Sequence, residues 1–236
     1  MIYRKSAQTP FFGHGRLLGH LRSTLFLGSL FLLLTCVSGQ VSRAQDLVVS
    51  SVHRQHKLES KVLGEERTIL VRVPINYDRT DERLPVVYML DAHPPQNAMM
   101  VGMLEQQFWG GKIPDVILVG IQNTNRGRDL TPTVVNDGLP SGGAPKFLSF
   151  IESELIPMIE KAYRTQPYRI IAGHSLGGLF VVHALVERPE LFNGYIAASP
   201  YLHWDGGVVL KRAKETLKNF KGRKRVLHAA LGNEEE

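Results

Sequence analysis

The segment from Tyr168 to Gly178, YRIIAGHSLGG, constrains the fold of this 236-residue chain more than any other stretch. An apolar run of strand-forming residues leads into GHSLG, and the apolar helical pattern GGLFVVHALVE follows without a break. G-x-S-x-G is a short pattern. Between a buried strand and a helix, however, it is typical of a sharp turn that presents a serine hydroxyl at the edge of a sheet. We therefore predict that Ser175 lies in such a turn.

The glycines around Ser175 fit this prediction. A strained strand-to-helix turn brings its flanking positions so close together that only hydrogen is well tolerated there, and Gly173 and Gly177 stand at those positions. The N–H of Leu176, at the start of the helix, is predicted to point at the same spot as the hydroxyl and to stabilise an oxyanion. The alternative is a serine that only caps the helix.

Patterns of buried strands alternate with helical patterns over the rest of the chain. The strand patterns are DLVVSSV, RTILVRV, LPVVYML, DVILVGI, YRIIAG, GYIAAS and RVLHAAL. The helical patterns are AMMVGMLEQQF, KFLSFIESELIPMIEKAY, GGLFVVHALVE and VLKRAKETLKNF, and Pro157 is expected to kink the second of them. This alternation predicts an α/β fold with one mostly parallel, doubly wound sheet, in which only the first two strands are antiparallel.

Residues 1–45 are predicted to be a signal peptide with a long basic flank. Basic residues precede the apolar run LFLGSLFLLLTCV at Leu25 to Val37, and small residues follow it. This order predicts export to the periplasm or the extracellular space. The alternative is an uncleaved N-terminal anchor, which would be the protein's only contact with a membrane. Residues 46–236 are then the folded domain.

The basic composition gives no reason to expect a nucleic-acid partner. Residues 1–45 hold five basic and no acidic residues, so the formal charge of +6 belongs almost entirely to the predicted signal peptide. The basic run KGRKR at Lys221 to Arg225 lies between a helix and a strand and is interpreted as a solvated turn. Cys36 is the only cysteine, which excludes an internal disulfide framework and a thiolate metal site. No metal or organic cofactor is expected.

Five segments, in their order along the chain, resemble the esterase family of α/β-hydrolases. They are VVYMLDAH, ILVGIQNTNRGRDLTPT, KFLSFIESELIPMIEKAYRT, GHSLGGLFVVHALVERPELFNGYIAASPYLHWD and LGNEEE, and the resemblance runs from about Leu47 to the last residue. The family is similar to ferric-enterobactin esterases and, more distantly, to S-formylglutathione hydrolases and feruloyl esterases. The resemblance implies the α/β-hydrolase fold and a serine esterase that acts on a small-molecule ester.

The resemblance also implies a catalytic triad in the chain order serine, acid, histidine. Ser175 takes the nucleophile position. The acid is expected after the last strand, at Glu235 or Glu234, with Asp205 as a third candidate. A solvated acidic tail explains the two glutamates equally well on composition alone.

No histidine follows the last predicted strand, where the triad base belongs. Four histidines occur from Ser175's own turn onward: His174, His183, His203 and His228. They are expected to pack or to line the substrate pocket. The domain is therefore expected to be truncated at its C-terminus, without a last helix, a last strand and the histidine loop.

The resemblance suggests further site residues. The second oxyanion donor is expected to be the backbone N–H of Ala92 or His93, in the loop after LPVVYML. We assign Arg126, Arg128 and Trp204 to the substrate pocket, although an internal ion pair explains the two arginines equally well. The sequence thus predicts an ester hydrolase with an acyl-enzyme on Ser175. The alternatives are an acyltransferase and an inactive, hydrolase-like binding protein that lacks the triad histidine.

Overall fold

The computed structural model describes residues 53–136, 138–218, 220–222 and 224–232. The predicted signal peptide, the strand predicted at DLVVSSV and the candidate acids Glu234 and Glu235 lie outside the described residues.

Seven strands form a single mixed sheet. They are β1 (Arg54–Ser60), β2 (Glu65–Arg72), β3 (Leu84–Met89), β4 (Ile117–Ile121), β5 (Thr165–His174), β6 (Gly194–Ala198) and β7 (Val226–Ala230). Their order across the sheet is β1-β2-β4-β3-β5-β6-β7. β1 and β2 pair antiparallel, β2 pairs antiparallel with β4, and all other pairs are parallel. The predicted mostly parallel sheet is confirmed, and antiparallel pairing is limited to β2, which pairs in this way with both β1 and β4.

In the described part of the chain, six α-helices accompany the sheet. They are α1 (Pro94–Trp109), α2 (Arg126–Leu130), α3 (Ala144–Phe150), α4 (Ile156–Ala162), α5 (Leu176–Glu187) and α6 (Trp204–Lys218). A 3₁₀ turn covers Tyr77–Arg79. The first turn of α6 contains three left-handed residues at 205–207, and regular helix follows them.

Pro157 does not end the long helix predicted around it. A π-helical turn, Ile151–Leu155, joins α3 to α4 just before the proline, and the flanking residues keep helical dihedral angles. Proline has no N–H to donate to the preceding turn. The wider π turn accommodates this missing donor and keeps the buried face of the helix against the core.

Both faces of the sheet are covered near its centre, as predicted for a doubly wound fold. Alternate residues of β3 divide between the faces: Val86 and Tyr88 belong to the large core cluster with α3, α4 and α5, whereas Val87 and Met89 pack in a smaller cluster with Val101 of α1. β7 lies at one edge of the sheet, and all five of its residues are exposed.

Two general features are absent from the described part of the chain. None of its helices is both long and apolar enough to span a bilayer. Nor do three or more histidine, cysteine, aspartate or glutamate side chains come together there in a group that could hold a metal ion.

Candidate active site

Ser175 lies in the sharp turn predicted from the sequence. β5 ends at His174, α5 begins at Leu176, and Ser175 between them has φ 57° and ψ −116°. A non-glycine residue with positive φ is costly, by about 1–3 kcal/mol, and persists only where the surroundings enforce it. Such strain is a recognised property of the serine turn in G-x-S-x-G proteins.

Hydrogen bonds hold the backbone of Ser175 on both sides. Its N–H donates to the carbonyl oxygen of Ala198 at 3.0 Å, which ties the turn to β6. Its carbonyl oxygen accepts from the N–H of Leu179 at 2.9 Å and from that of Tyr201 at 3.1 Å. These bonds offset the cost of the unusual dihedral angles and fix the hydroxyl at the carboxyl edge of the sheet.

The glycines next to Ser175 allow the close approach of backbone to backbone. A Cβ on Gly173 would lie 2.5 Å from the carbonyl carbon of Gly177. A Cβ on Gly178 would lie 2.8 Å from the Cα of Pro200, in the loop after β6. Neither position can take a side chain unless the turn moves.

Ser175 opens into a cavity of about 510 Å³ beside the carboxyl ends of β5 and β6. Tyr201, Leu202 and His203 line it, together with Ser199, which also has a positive φ of 39°. The Ser199 N–H donates to Ala230 and its Oγ accepts from the N–H of Gly232, so the loops after β6 and β7 meet at this cavity. The cavity offers room for a small substrate next to the hydroxyl.

A second cavity of about 520 Å³ adjoins the other side of the turn. Its walls are mostly apolar and include Met89, Met100 and Ile196. Its polar lining includes Asp91, His93, Asn123 and Arg126. His174 lines both cavities, so the serine turn separates them.

The candidate oxyanion donors differ in availability. As the first residue of α5, Leu176 has an N–H without an intrahelical acceptor, in keeping with its predicted role. The N–H of Ala92 donates to the carbonyl of Ile121 at 3.1 Å, so the structure does not support Ala92 as a donor. The N–H of His93 closes a three-residue γ-turn onto Asp91 at 2.9 Å.

The two arginines assigned to the substrate pocket have different surroundings. Arg126 lines the apolar-walled cavity, but its guanidinium is paired with Asp91. Arg128 donates to Glu65 and to Asp129, which places it in an internal ion-pair network. These carboxylates raise the pKa of Arg128 above its ordinary range. Arg128 thus lies in an internal ion pair, as the alternative interpretation expected, and its assignment to the substrate pocket stays a prediction.

The same network surrounds a fully buried arginine that the sequence interpretation did not single out. Arg67 of β2 pairs with Asp129 at 2.5 Å and with Glu65 at 3.1 Å. Its guanidinium also lies 4.8 Å from the ring centroid of Phe147. The network therefore anchors α2, and the loop that contains it, to β2 and α3.

Trp204 lies beside the serine cavity rather than in its lining. Its Nε1–H donates to the Thr133 hydroxyl at 3.2 Å, and its ring meets Tyr201 edge-on. Because Tyr201 lines the cavity, Trp204 supports the wall from behind. The assignment of Trp204 to the substrate pocket stays a prediction, and in this structure the side chain contacts a residue of the cavity wall.

The described histidines do not form a hydrogen bond with Ser175. His174 and His203 line its cavity with exposed side chains. His183 is buried in α5, and burial lowers its pKa to about 4. His228, which was expected to pack, is exposed on β7 because the sheet ends there. Asp205 has a positive φ and is exposed at the start of α6.

Comparison with known proteins gives a consistent result. Residues 60–234 match the protein family described as "Putative esterase". The ferri-bacillibactin esterase BesA of Bacillus subtilis is 36% identical over 152 residues, which cover 54% of this chain and 51% of that protein. The siderophore triacetylfusarinine C esterase of Aspergillus fumigatus is 32% identical over 171 residues, covering 64% and 56%. The chain thus spans about half the length of these relatives.

Solved structures are similar as well. An IroE-like serine hydrolase from Shewanella oneidensis has a TM-score of 0.71 and 36% identity, with 75% of this chain and 60% of that chain covered. The BES protein from Bacillus cereus has a TM-score of 0.65 and 30% identity, with 76% and 74% covered.

Proposed function

The chain belongs to the esterase family and has the α/β-hydrolase fold, and on that premise we propose that it hydrolyses carboxylic esters through an acyl-enzyme on Ser175. The observation that carries the proposal is the position of Ser175, with φ 57°, between β5 and α5 at the mouth of a cavity. A strained strand-to-helix turn of this kind exposes the serine hydroxyl at the edge of the sheet, where a substrate can reach it.

The proposed reaction has two steps. Ser175 Oγ attacks the ester carbonyl carbon while its proton passes to a base. The carbon–oxygen bond to the alcohol then breaks, and the alcohol leaves with that proton. Water next passes a proton to the base and attacks the acyl carbon; the bond from this carbon to Ser175 Oγ then breaks, Oγ takes the proton back, and the carboxylic acid leaves. The negative oxygen formed in each step needs donors, and we assign these to the N–H groups of Leu176 and His93. The N–H of His93 is bound only in a three-residue γ-turn. The short ring of such a turn bends its hydrogen bond, and bent hydrogen bonds are weak, so an oxyanion can replace it.

We further propose a siderophore ester as the substrate class. The support comes from two relatives more than 30% identical to this chain, whose names describe siderophore esterases. A cavity of about 500 Å³ lies on each side of the serine turn. One cavity could hold the acyl part of such a molecule and the other its alcohol part. The test is to compare the rate of hydrolysis of a ferric siderophore ester with that of a simple acyl ester. Faster release of the siderophore's hydrolysis products would support this substrate class.

The test of the serine is covalent labelling with a fluorophosphonate probe. The wild-type chain should be labelled and Ser175→Ala should not. Ser149→Ala is a matched control, because it removes a half-buried helical hydroxyl that donates to the carbonyl oxygen of Pro145 in its own helix, α3. Equal labelling of wild type and Ser175→Ala would refute the proposal. Hydrolysis assays with and without an added alcohol then separate hydrolysis from acyl transfer, because an acyltransferase would give mainly the new ester.

Export is a separate proposal that rests on the sequence alone. The apolar run at Leu25 to Val37 behind a basic flank supports a signal peptide. Mass determination of the N-terminus of protein recovered from the periplasm or medium tests it. A product that starts near residue 46 is expected, and a product that keeps residues 1–45 in the cytoplasm would contradict the proposal.

A further inference from the structure

Arg126 connects three strand ends around the serine turn. It is the first residue of α2, in the loop after β4. Its Nε donates to Asp91 Oδ1 at 2.8 Å and its Nη2 to Asp91 Oδ2 at 3.0 Å, and Asp91 is in the loop after β3. The same Nη2 donates to the carbonyl oxygen of His174, the last residue of β5, at 3.2 Å. One planar guanidinium therefore contacts both the residue before Ser175 and the loop after β3. Because this loop holds the candidate donor His93, we call it the oxyanion loop.

The contact with the His174 carbonyl restrains the peptide group next to the strained φ angle of Ser175. This peptide joins His174 to Ser175, and its two polar groups are both bound: the carbonyl to Arg126 and the N–H to Ala198. Rotation about that peptide would change the φ angle of Ser175. Arg126 provides the side-chain contact on this peptide, while the other bonds of the turn come from backbone groups.

Asp91, like Ser175, combines a strained backbone with hydrogen-bonded contacts. It has a positive φ of 56°, and Asn123 Nδ2 donates to its Oδ1 at 2.6 Å. A Cβ on Gly177 would lie 3.1 Å from Asp91 Oδ2, so the carboxylate packs against the first turn of α5. Negative charge beside a helix N-terminus is favourable, but it opposes the negative oxygen that would form there. Arg126 neutralises that charge.

We propose that Arg126 and Asp91 are positioning residues, which hold the serine turn and the oxyanion loop in register and keep the site electrically neutral. The proposal rests on the proposed function and reassigns Arg126 from substrate pocket to this role. A lysine keeps the positive charge but lacks the planar fork that reaches two acceptors at once. Arg126→Lys should therefore loosen the turn, and Arg126→Gln should also leave Asp91 unneutralised.

Arg128 supplies a matched control. It lies two residues away in the same short helix and also pairs with carboxylates, but its partners are Glu65 and Asp129 rather than the serine turn. Arg128→Lys should lower the unfolding midpoint and leave the serine turn unchanged. Comparison of the two lysine variants at a temperature where both are folded separates positioning from general stability.

The first measurement is hydrogen–deuterium exchange of the peptide that contains residues 173–178, because it needs no activity. Exchange of the Ser175 amide should be faster in Arg126→Lys than in wild type or in Arg128→Lys. Equal exchange in the two lysine variants would overturn the proposal, whether or not the chain hydrolyses esters.

The second measurement is the rate of fluorophosphonate labelling. A misplacement of about 1 Å can reduce a rate about 100-fold, so we expect a loss of about 10- to 100-fold for Arg126→Lys and a larger one for Arg126→Gln. The maximal labelling rate should fall while the half-saturating probe concentration changes little. Normal labelling of both Arg126 variants would overturn the proposal. Faster exchange in Arg126→Lys with an unlabelled wild type would support the positioning role and refute the proposed function instead.

Discussion

A Cβ atom on Gly173 would lie 2.5 Å from the carbonyl carbon of Gly177, and the two glycines thus set how closely β5 approaches α5. Real Cβ atoms do not come that near to backbone carbon. The serine turn between them therefore depends on the absence of one side chain. Of the glycines in the turn, Gly173 is therefore the one where an added side chain should be tolerated least.

Gly173→Ala is expected to destabilise the fold and remove the reactivity of Ser175. The added methyl group meets backbone, which cannot swing aside, so the turn must open; overpacking of this kind costs about 1–3 kcal/mol or more. Urea denaturation measures the change. Gly102→Ala is the control, because a Cβ there meets nothing within 4 Å and lies in α1, where alanine is favoured by up to about 1 kcal/mol. Equal stability of the two variants would contradict this account.

The buried ion pair predicts a large loss when one partner is removed. Arg67 is completely buried and Asp129 is 2% exposed. Asp129→Asn leaves the guanidinium of Arg67 without its closest carboxylate, and breaking such a pair costs about 3–5 kcal/mol. The free energy of unfolding from urea titration gives the value.

The exposed pair between Glu152 and Arg188 provides the comparison for that measurement. Both side chains are largely exposed and their closest atoms are 3.3 Å apart. Glu152→Gln should change stability by about 1 kcal/mol or less. If Asp129→Asn were as mild as Glu152→Gln, the buried network would not anchor the loop as described.

The sequence predicted local features better than distant contacts. The Ser175 turn was predictable because strand, turn and helix are adjacent in the chain. β1, with the sequence RQHKLES, was missed because an edge strand exposed to solvent carries a weak apolar pattern. The five-residue helix α2 was hidden in a Gly/Pro/Asn-rich loop. Its one local signal was Asn125, whose side chain caps the helix by accepting from the N–H of Arg128.

The contacts of Arg126 could not be predicted from the sequence in the same way. Asp91 and His174 are 35 and 48 residues from it along the chain. They meet only because β3 lies between β4 and β5 in the sheet. The buried position of Arg67 depends in the same way on partners from α2 and α3. The alternation of apolar and polar residues in RTILVRV placed Arg67 in a strand, but it gave no reason to expect a charged side chain in the core.

His203 tests how the serine is activated. It lines the same cavity as Ser175, but no hydrogen bond joins the two side chains in the described part of the chain. As a pocket residue, His203→Gln should raise KM for p-nitrophenyl acetate several-fold and leave kcat nearly unchanged. A fall in kcat of about 1,000-fold or more would instead identify His203 as the base. His228→Gln, on the exposed edge strand, is the control and should change neither constant.

The buried His183 predicts that stability falls in mild acid. Burial is the main cause that lowers its pKa from 6.5 to about 4, with Arg212 and Arg188 acting in the same direction and Glu187 against it. The unfolded chain therefore takes up a proton between pH 6.5 and 4 that the folded chain refuses. This contribution to stability is complete above pH 6.5 and is lost as the pH falls toward 4, and the loss amounts to roughly 2 kcal/mol by pH 5.

His183→Leu removes the titrating ring and keeps an apolar side chain among the buried residues of α5. Urea denaturation of wild type and His183→Leu at pH 7 and pH 5 should show a smaller loss for the variant, by roughly 2 kcal/mol. Parallel losses in wild type and His183→Leu would show that the buried ring takes up its proton without unfolding, and would contradict the prediction.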